Sequence, residues 1–150
     1  MPPPAGRARG RVRGHHVILY DGVCGLCNRL NRFVLARDAR GAFRFASLQS
    51  RFAREFLTGH NLDPSDLDTL YLVAHYGTER QAIHTKSRAT LLILKELGGP
   101  WRVAGILGVL PTVLLDCVYD LVARVRYRIF GRYDACPTPR PEWRDRFIDV

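Results

Sequence analysis

Two cysteines separated by two residues, Cys24-Gly25-Leu26-Cys27, stand where an apolar run gives way to a helical pattern. That placement constrains the fold more than any other feature of the sequence. His16 to Tyr20 reads HVILY, a short apolar and β-branched run that ends at the turn signal Asp21-Gly22, and it predicts a buried strand. Beyond it Leu26, Leu30, Phe33 and Val34 recur at helical spacing, with Asn28, Arg29, Asn31 and Arg32 on the other side, so an amphipathic helix follows and ends near Gly41. Cys24 is then expected at or near the helix N-cap, where free backbone N–H groups and the positive end of the helix dipole favour a thiolate over a thiol. Cys27, one turn further in, is expected beneath it.

The rest of the chain completes a recognisable order. Ala42 to Ala46 reads as a second strand, and Leu48, Phe52, Phe56 and Leu57 mark a second helix that stops around Gly59. Asp63-Pro64-Ser65 has the look of a cap before a single helical turn. Thr69–Tyr76 and Arg80–Thr85, joined through Gly77-Thr78-Glu79, make a hairpin. A third helix runs from about Ser87 to Leu97, with Leu91, Leu92, Leu94 and Leu97 expected to be buried, and Gly98-Gly99-Pro100 ends it. The order β-α-β-α-β-β-α is the thioredoxin arrangement, a mixed sheet between helices. After Pro100 the pattern is helical, from about Trp101 to Leu110 and from Pro111 through Phe130, with one further turn around Trp143 to Ile148. The organisation expected is a disordered basic leader at 1–14, a thioredoxin-like core at 15–99 and an α-helical extension at 100–150 packed on the same domain.

Composition narrows the function classes. A chain of 150 residues, 47% hydrophobic and 25% charged, can bury a core without disulfide staples and is not intrinsically disordered. The leader has no apolar stretch that could serve as a signal-peptide core, and the longest apolar run, Val103–Leu115, is broken by Gly105, Gly108 and Pro111 and is too short to span a bilayer. A cytoplasmic location is expected. There the four cysteines would be kept largely reduced, which turns attention from structural disulfides to catalysis or metal binding.

A thiolate at a helix N-terminus is the nucleophile of disulfide exchange, so Cys24 could attack a disulfide and Cys27 could resolve the mixed disulfide within the molecule. A C-x-x-C beside a βαβ pattern is a redox signature. The rival from another class is a non-catalytic zinc or interaction module in which Cys24, Cys27, Cys117 and Cys136 are structural, although the long gaps and the lack of a second C-x-x-C do not match finger or ribbon spacing. Cys117 falls inside an apolar helix and reads as a packed core thiol, while Cys136, before Pro137, is a candidate second redox centre.

The stretch Tyr20-Asp21-Gly22-Val23-Cys24-Gly25-Leu26-Cys27-Asn28 resembles the signature of the DCC-type thiol-disulfide oxidoreductases, small proteins named for a D-x-x-C-x-x-C motif. The similarity extends through Tyr119–Phe130, Gly131-Arg132 and Cys136-Pro137, and so covers roughly Val17 to Phe147. It implies a thioredoxin-like fold, a thiol-disulfide exchange activity and no cofactor, and the motif carries over Asp21, Cys24 and Cys27 as functional positions. Asp21 could take a proton from a thiol or cap the helix, and its charge would raise the Cys24 pKa while the helix terminus lowers it. With no His in the motif, thiolate stabilisation is expected to be modest, which places the couple at roughly −200 to −270 mV. Where thioredoxins carry a cis-proline facing the cysteines, Leu67-Asp68-Thr69 stands here, so the groove that grips extended peptide is altered and a low-molecular-weight disulfide or a peroxide becomes a candidate substrate.

Partners expected on this basis are a thiol or disulfide substrate and a cellular dithiol or glutathione-type electron donor. The five histidines, His15, His16, His60, His75 and His84, lack ligand spacing and support no metal site. The 23 Lys and Arg against 14 Asp and Glu concentrate in the leader, at Arg7, Arg9, Arg11 and Arg13, and in seven arginines from Arg124 to Arg146. The leader reads as a solvated arm with no nucleic-acid fold behind it. Arg124, Arg126, Arg128 and Arg132 read as a solvated helical face that could steer an anionic substrate. The apolar helices after Trp101 are expected to cover the sheet rather than dock on a membrane, since Asp116 and Asp120 would resist anionic lipid.

Overall fold

The structure, a computed structural model, describes residues 12–133 and 139–148, with the side chains of residues 104 and 105 outside the description. Most of the basic leader and Cys136 therefore lie outside the described residues. Strand β1 (His16–Tyr20) is buried along its whole length, as a continuous apolar run should be when both faces of a sheet are covered. It pairs in parallel with β2 (Phe43–Ser47) and antiparallel with β3 (Tyr71–Ala74), which in turn pairs antiparallel with β4 (Ala82–Thr85). A short strand β5 (Phe147–Ile148) adds in parallel to β2, giving the order β4-β3-β1-β2-β5. Helices α1 (Gly25–Arg37), α2 (Arg51–Gly59) and α3 (Lys86–Leu97) connect these strands in the order expected. The result is a mixed α/β, thioredoxin-like fold.

Alternation along β1 divides the core into two layers. Val17 and Leu19 point to one face, where Phe52, Ala53, Phe56 and Leu57 of α2 cover them; Ile18 and Tyr20 point to the other, against Val34 and Leu35 of α1 and Ala89 and Ile93 of α3. Each of the fully buried large side chains removes enough apolar surface to stabilise the fold by about 1.5–3 kcal/mol. On α3 the buried positions are Ser87, Ala89 and Ile93, whereas Leu91, Leu92, Leu94 and Leu97 are half-buried: the expected stripe is displaced because the helix leans on the sheet through its small residues.

The region after Pro100 departs from expectation. Gly99–Val109 is a run of 3-10 turns rather than an α-helix, and α4 (Thr112–Phe130) packs on α1 and α3 instead of lying over open sheet. Gly105 and Gly108 weaken a regular helix in the first segment, and Pro100 and Pro111 bound it. Around Trp143 the chain forms 3-10 turns over Pro141–Arg146 and then the strand β5, a pairing that a two-residue segment does not advertise. Its anchor is Asp38, at the end of α1. The Asp38 carboxylate accepts from the N–H groups of Ala42 and Phe43 at 3.0 and 2.9 Å, closing the turn into β2, and from Arg146 at 2.9 Å.

Candidate active site

Everything in the site hangs on the loop between β1 and α1. Cys24 is the N-cap of α1, in extended conformation (φ −81°, ψ 126°), and its N–H donates to the Asp21 carbonyl at 3.2 Å. Asn28, the first polar residue inside the helix, donates its side-chain amide to the carbonyls of Gly22 (3.0 Å) and Cys24 (2.9 Å), so the loop is tied to the first helical turn. Gly25 is required for a steric reason: a Cβ there would stand 2.1 Å from the Phe130 carbonyl oxygen. The close approach that glycine allows is that of the end of α4, whose following residues bond back to the loop through Gly25 N–H to Gly131 O (3.1 Å) and Tyr133 N–H to Val23 O (2.7 Å).

Asp21, Cys24 and Cys27 come together. Cys24 is fully buried beneath Gly131–Tyr133, and Cys27 is half-buried. Both thiols are free, and they interact: a hydrogen bond from the Cys27 thiol is the largest influence holding the Cys24 pKa down to about 6, reinforced by the backbone N–H groups of Cys27 and Leu26 and by Arg126, against the opposing effect of burial. The same hydrogen bond, with burial, drives the Cys27 thiol far up. One proton shared by two thiols thus sits on Cys27, and Cys24 carries the charge.

Asp21 is buried and surrounded. One carboxylate oxygen accepts from the side-chain amide of Gln49 (2.8 Å) and from the Val23 N–H (3.2 Å). The other takes the Tyr127 hydroxyl and a 3.2 Å ion pair with Arg126. Gln49 also accepts the Gly22 N–H at 3.0 Å, so a residue two past the end of β2 braces the loop. Asp21 is therefore neither the side-chain cap of α1, which has none, nor an isolated charge pressing on Cys24.

Arg126 is the residue that sequence reasoning misplaced. It belongs not to a solvated face but to the interior, 4% exposed, and its guanidinium reaches Asp21, Asp68 (3.1 Å), the Leu67 carbonyl (3.0 Å), the Tyr127 hydroxyl (3.0 Å) and, at 3.9 Å, the Cys27 sulfur. The cation that a motif histidine would have supplied comes instead from α4, and the thiolate is correspondingly better stabilised than the motif alone implies. The signal was present: alone in the row from Arg124 to Arg132, Arg126 shares the helical face of Tyr119 (i+7). Tyr119 accepts from the Leu70 N–H (2.8 Å) and donates to the Asp68 carbonyl (3.1 Å). Together Tyr119 and Arg126 occupy the backbone groups before β3, where a thioredoxin grips peptide.

Beside Cys27 a cavity of about 240 Å³ opens between α1, α3 and α4, walled by Leu26, Leu30, Leu70, Tyr119 and Val122. Cys117 is a correction: it is exposed on α4, not packed in the core, because that part of the helix turns its apolar side outward. Among the described residues no three His, Cys, Asp or Glu side chains converge to hold a metal ion. No single helix among them is long and apolar enough to cross a membrane.

A cysteine pair at a helix N-terminus on a thioredoxin-like sheet is the arrangement characteristic of the thiol-disulfide oxidoreductase class. Residues 18–132 match the family model for DCC1-like thiol-disulfide oxidoreductases, and the chain belongs to that family. It is 34% identical over 134 residues to the uncharacterized protein YuxK of Bacillus subtilis, covering 89% of this chain and 94% of that one. It is also 36% identical over 121 residues to the chloroplastic DCC family protein At1g52590 of Arabidopsis thaliana, covering 80% and 67%. No solved structure matches the chain.

Proposed function

We propose that Cys24 and Cys27 form a dithiol-disulfide couple that exchanges with a low-molecular-weight disulfide through a mixed-disulfide intermediate. The observation that carries this reading is the placement of the two sulfurs, Cys24 at the N-cap of α1 and Cys27 one turn in with Arg126 3.9 Å from its sulfur, which favours a thiolate at Cys24 and a protonated thiol at Cys27. The Cys24 thiolate attacks one sulfur of RS–SR, a Cys24–SR bond forms, and RS⁻ leaves. The Cys27 thiol gives its proton to that leaving thiolate, and its own sulfur then attacks Cys24, releasing the second RS⁻, which is protonated from solvent. The balance is one dithiol and RSSR to one disulfide and two RSH; a cellular dithiol or glutathione-type donor reverses it on the protein. Because Cys24 is covered, the two hydrogen bonds that hold Gly131–Tyr133 over it must part before attack.

Two features favour a small substrate. The edge before β3 is already bonded by Tyr119 and Arg126, and the cavity beside Cys27 is of a size and apolarity that suit an aromatic or branched aliphatic substituent. Asp21 and Arg126 act as positioning residues: the ion pair holds the guanidinium near both sulfurs, where its charge favours the thiolate. Stabilising the thiolate stabilises the reduced protein, so the couple is expected at the oxidising end of the range that the motif alone suggests. The test is a thiol count by alkylation and mass spectrometry across a glutathione redox series, on wild type and Cys24→Ser. Loss of the Cys24 and Cys27 thiols together at one midpoint supports the couple; thiols that stay reduced at every poise refute it.

A further inference from the structure

The outer side of the molecule carries an apolar surface that nothing in the thiol chemistry explains. Ile106, Val109, Val113, Val118 and Leu121 are 67, 84, 76, 56 and 61% exposed, and Leu107, Leu110, Leu114 and Val122 join them. Single exposed leucines or valines are ordinary, but a continuous patch over two adjoining elements marks a surface that meets something. The 3-10 segment and α4 adjoin through a bend of 116°, and no charged residue interrupts the chain from Val103 to Leu115, so exposed apolar residues follow one another through the bend as a ridge from Ile106 to Val118.

The charges around the ridge identify the occupant. The two acids that were expected to repel anionic lipid are both partnered, Asp116 accepting the Ser87 hydroxyl at 2.5 Å and the half-exposed Asp120 neutralised by Lys86 at 3.1 Å. Among the described residues, the exposed charges beside the apolar residues that have no ion-pair partner are basic: Arg102 at one end, Arg124 and Arg128 at the other. A chain of net charge +9 with arginines rimming an apolar ridge complements a negatively charged bilayer, whereas two copies of the chain pressed ridge to ridge would bring like charges together. We infer that this ridge lies in the interface of an anionic membrane, apolar side chains in the acyl boundary and Arg102, Arg124 and Arg128 among the lipid phosphates. Val122 both borders the ridge and lines the cavity beside Cys27, so the docked protein presents that cavity at the membrane boundary. The inference rests on exposure and charge alone and stands whether or not the cysteines cycle.

The full chain, kept reduced, is sedimented with extruded vesicles of phosphatidylcholine alone and of an equal mixture with phosphatidylglycerol. Binding to the mixture at least tenfold tighter than to phosphatidylcholine, weakened by salt, is expected. Val118→Glu should abolish it. Arg124→Ser combined with Arg128→Ser, at exposed positions that leave packing untouched, should weaken it about thirtyfold. Failure of the wild type to pellet with the anionic vesicles overturns the inference. So does a chain that is dimeric in solution and becomes monomeric with Val118→Glu, which assigns the ridge to a second copy.

Discussion

Helices α2 and α4 follow opposite rules. In α2 the pattern is the ordinary one: Phe52, Ala53, Phe56 and Leu57 are buried against the sheet, and Arg51 and Glu55 pair on the outside at 2.7 Å. In α4 the one buried residue is an arginine, tyrosines stand beside it on the inner side, and Val113, Leu114, Val118 and Leu121 face outward. The difference teaches that α4 is not there to complete the core. Its inner side brings a cation and the Tyr127 hydroxyl to the cysteine loop and the Tyr119 hydroxyl to the backbone before β3, and its outer side is left to another environment.

The largest effect that could break this contrast is expected at the junction itself. Gly25→Ala puts a methyl group into the Phe130 carbonyl and should destabilise the protein by about 4 kcal/mol or more in urea unfolding, with α4 displaced from the loop. Arg126→Met should come next, at about 3–5 kcal/mol, because it leaves the Asp21 carboxylate buried without its counter-charge. A double substitution with Asp21→Asn should recover part of that loss, and full additivity would show that the pair is not coupled. On the other helix Phe56→Ala should cost about 3 kcal/mol or more, whereas Val118→Ala on α4 should stay within about 0.5 kcal/mol. Equal losses at the two positions would mean that the outer side of α4 is covered in the isolated protein. The smallest effect concerns capping: Ser50 accepts the Ala53 N–H at 3.1 Å and Ser50→Ala should cost about 1 kcal/mol, while Pro111, at the head of α4, offers no side-chain cap to remove.

The contrast also explains what could be read from the sequence. Strands β1 to β3, helices α1 to α3 and the place of Cys24 at a helix start were legible because their apolar periodicity serves burial, which is what periodicity reports, and β4 was legible from the turn residues that precede it. On α4 the same periodicity marks the exposed side, so reading apolar as buried put Cys117 in the core and Arg126 in solvent. Gln49 was invisible for another reason: a lone polar residue after a strand carries no pattern, and only the pairing of β1 with β2 brings it beside Asp21. Strand β5 was missed because two residues give no alternation to count, and what holds it in place is an ion pair between positions 38 and 146.

If the Cys27 thiol and α4's arginine hold Cys24 as a thiolate, the thiolate's ultraviolet absorbance measured against pH in the reduced protein reports it. A thiol whose folded pKa lies below its unfolded value of roughly 8.5 adds stability to the reduced form above that value, and loses it as the pH falls through the folded pKa. One thiolate is expected to titrate near pH 6, to disappear in Cys24→Ser and to move upward in Arg126→Met. Absorbance that rises only above about pH 8.5 in the wild type, or that persists unchanged in Cys24→Ser, would contradict it.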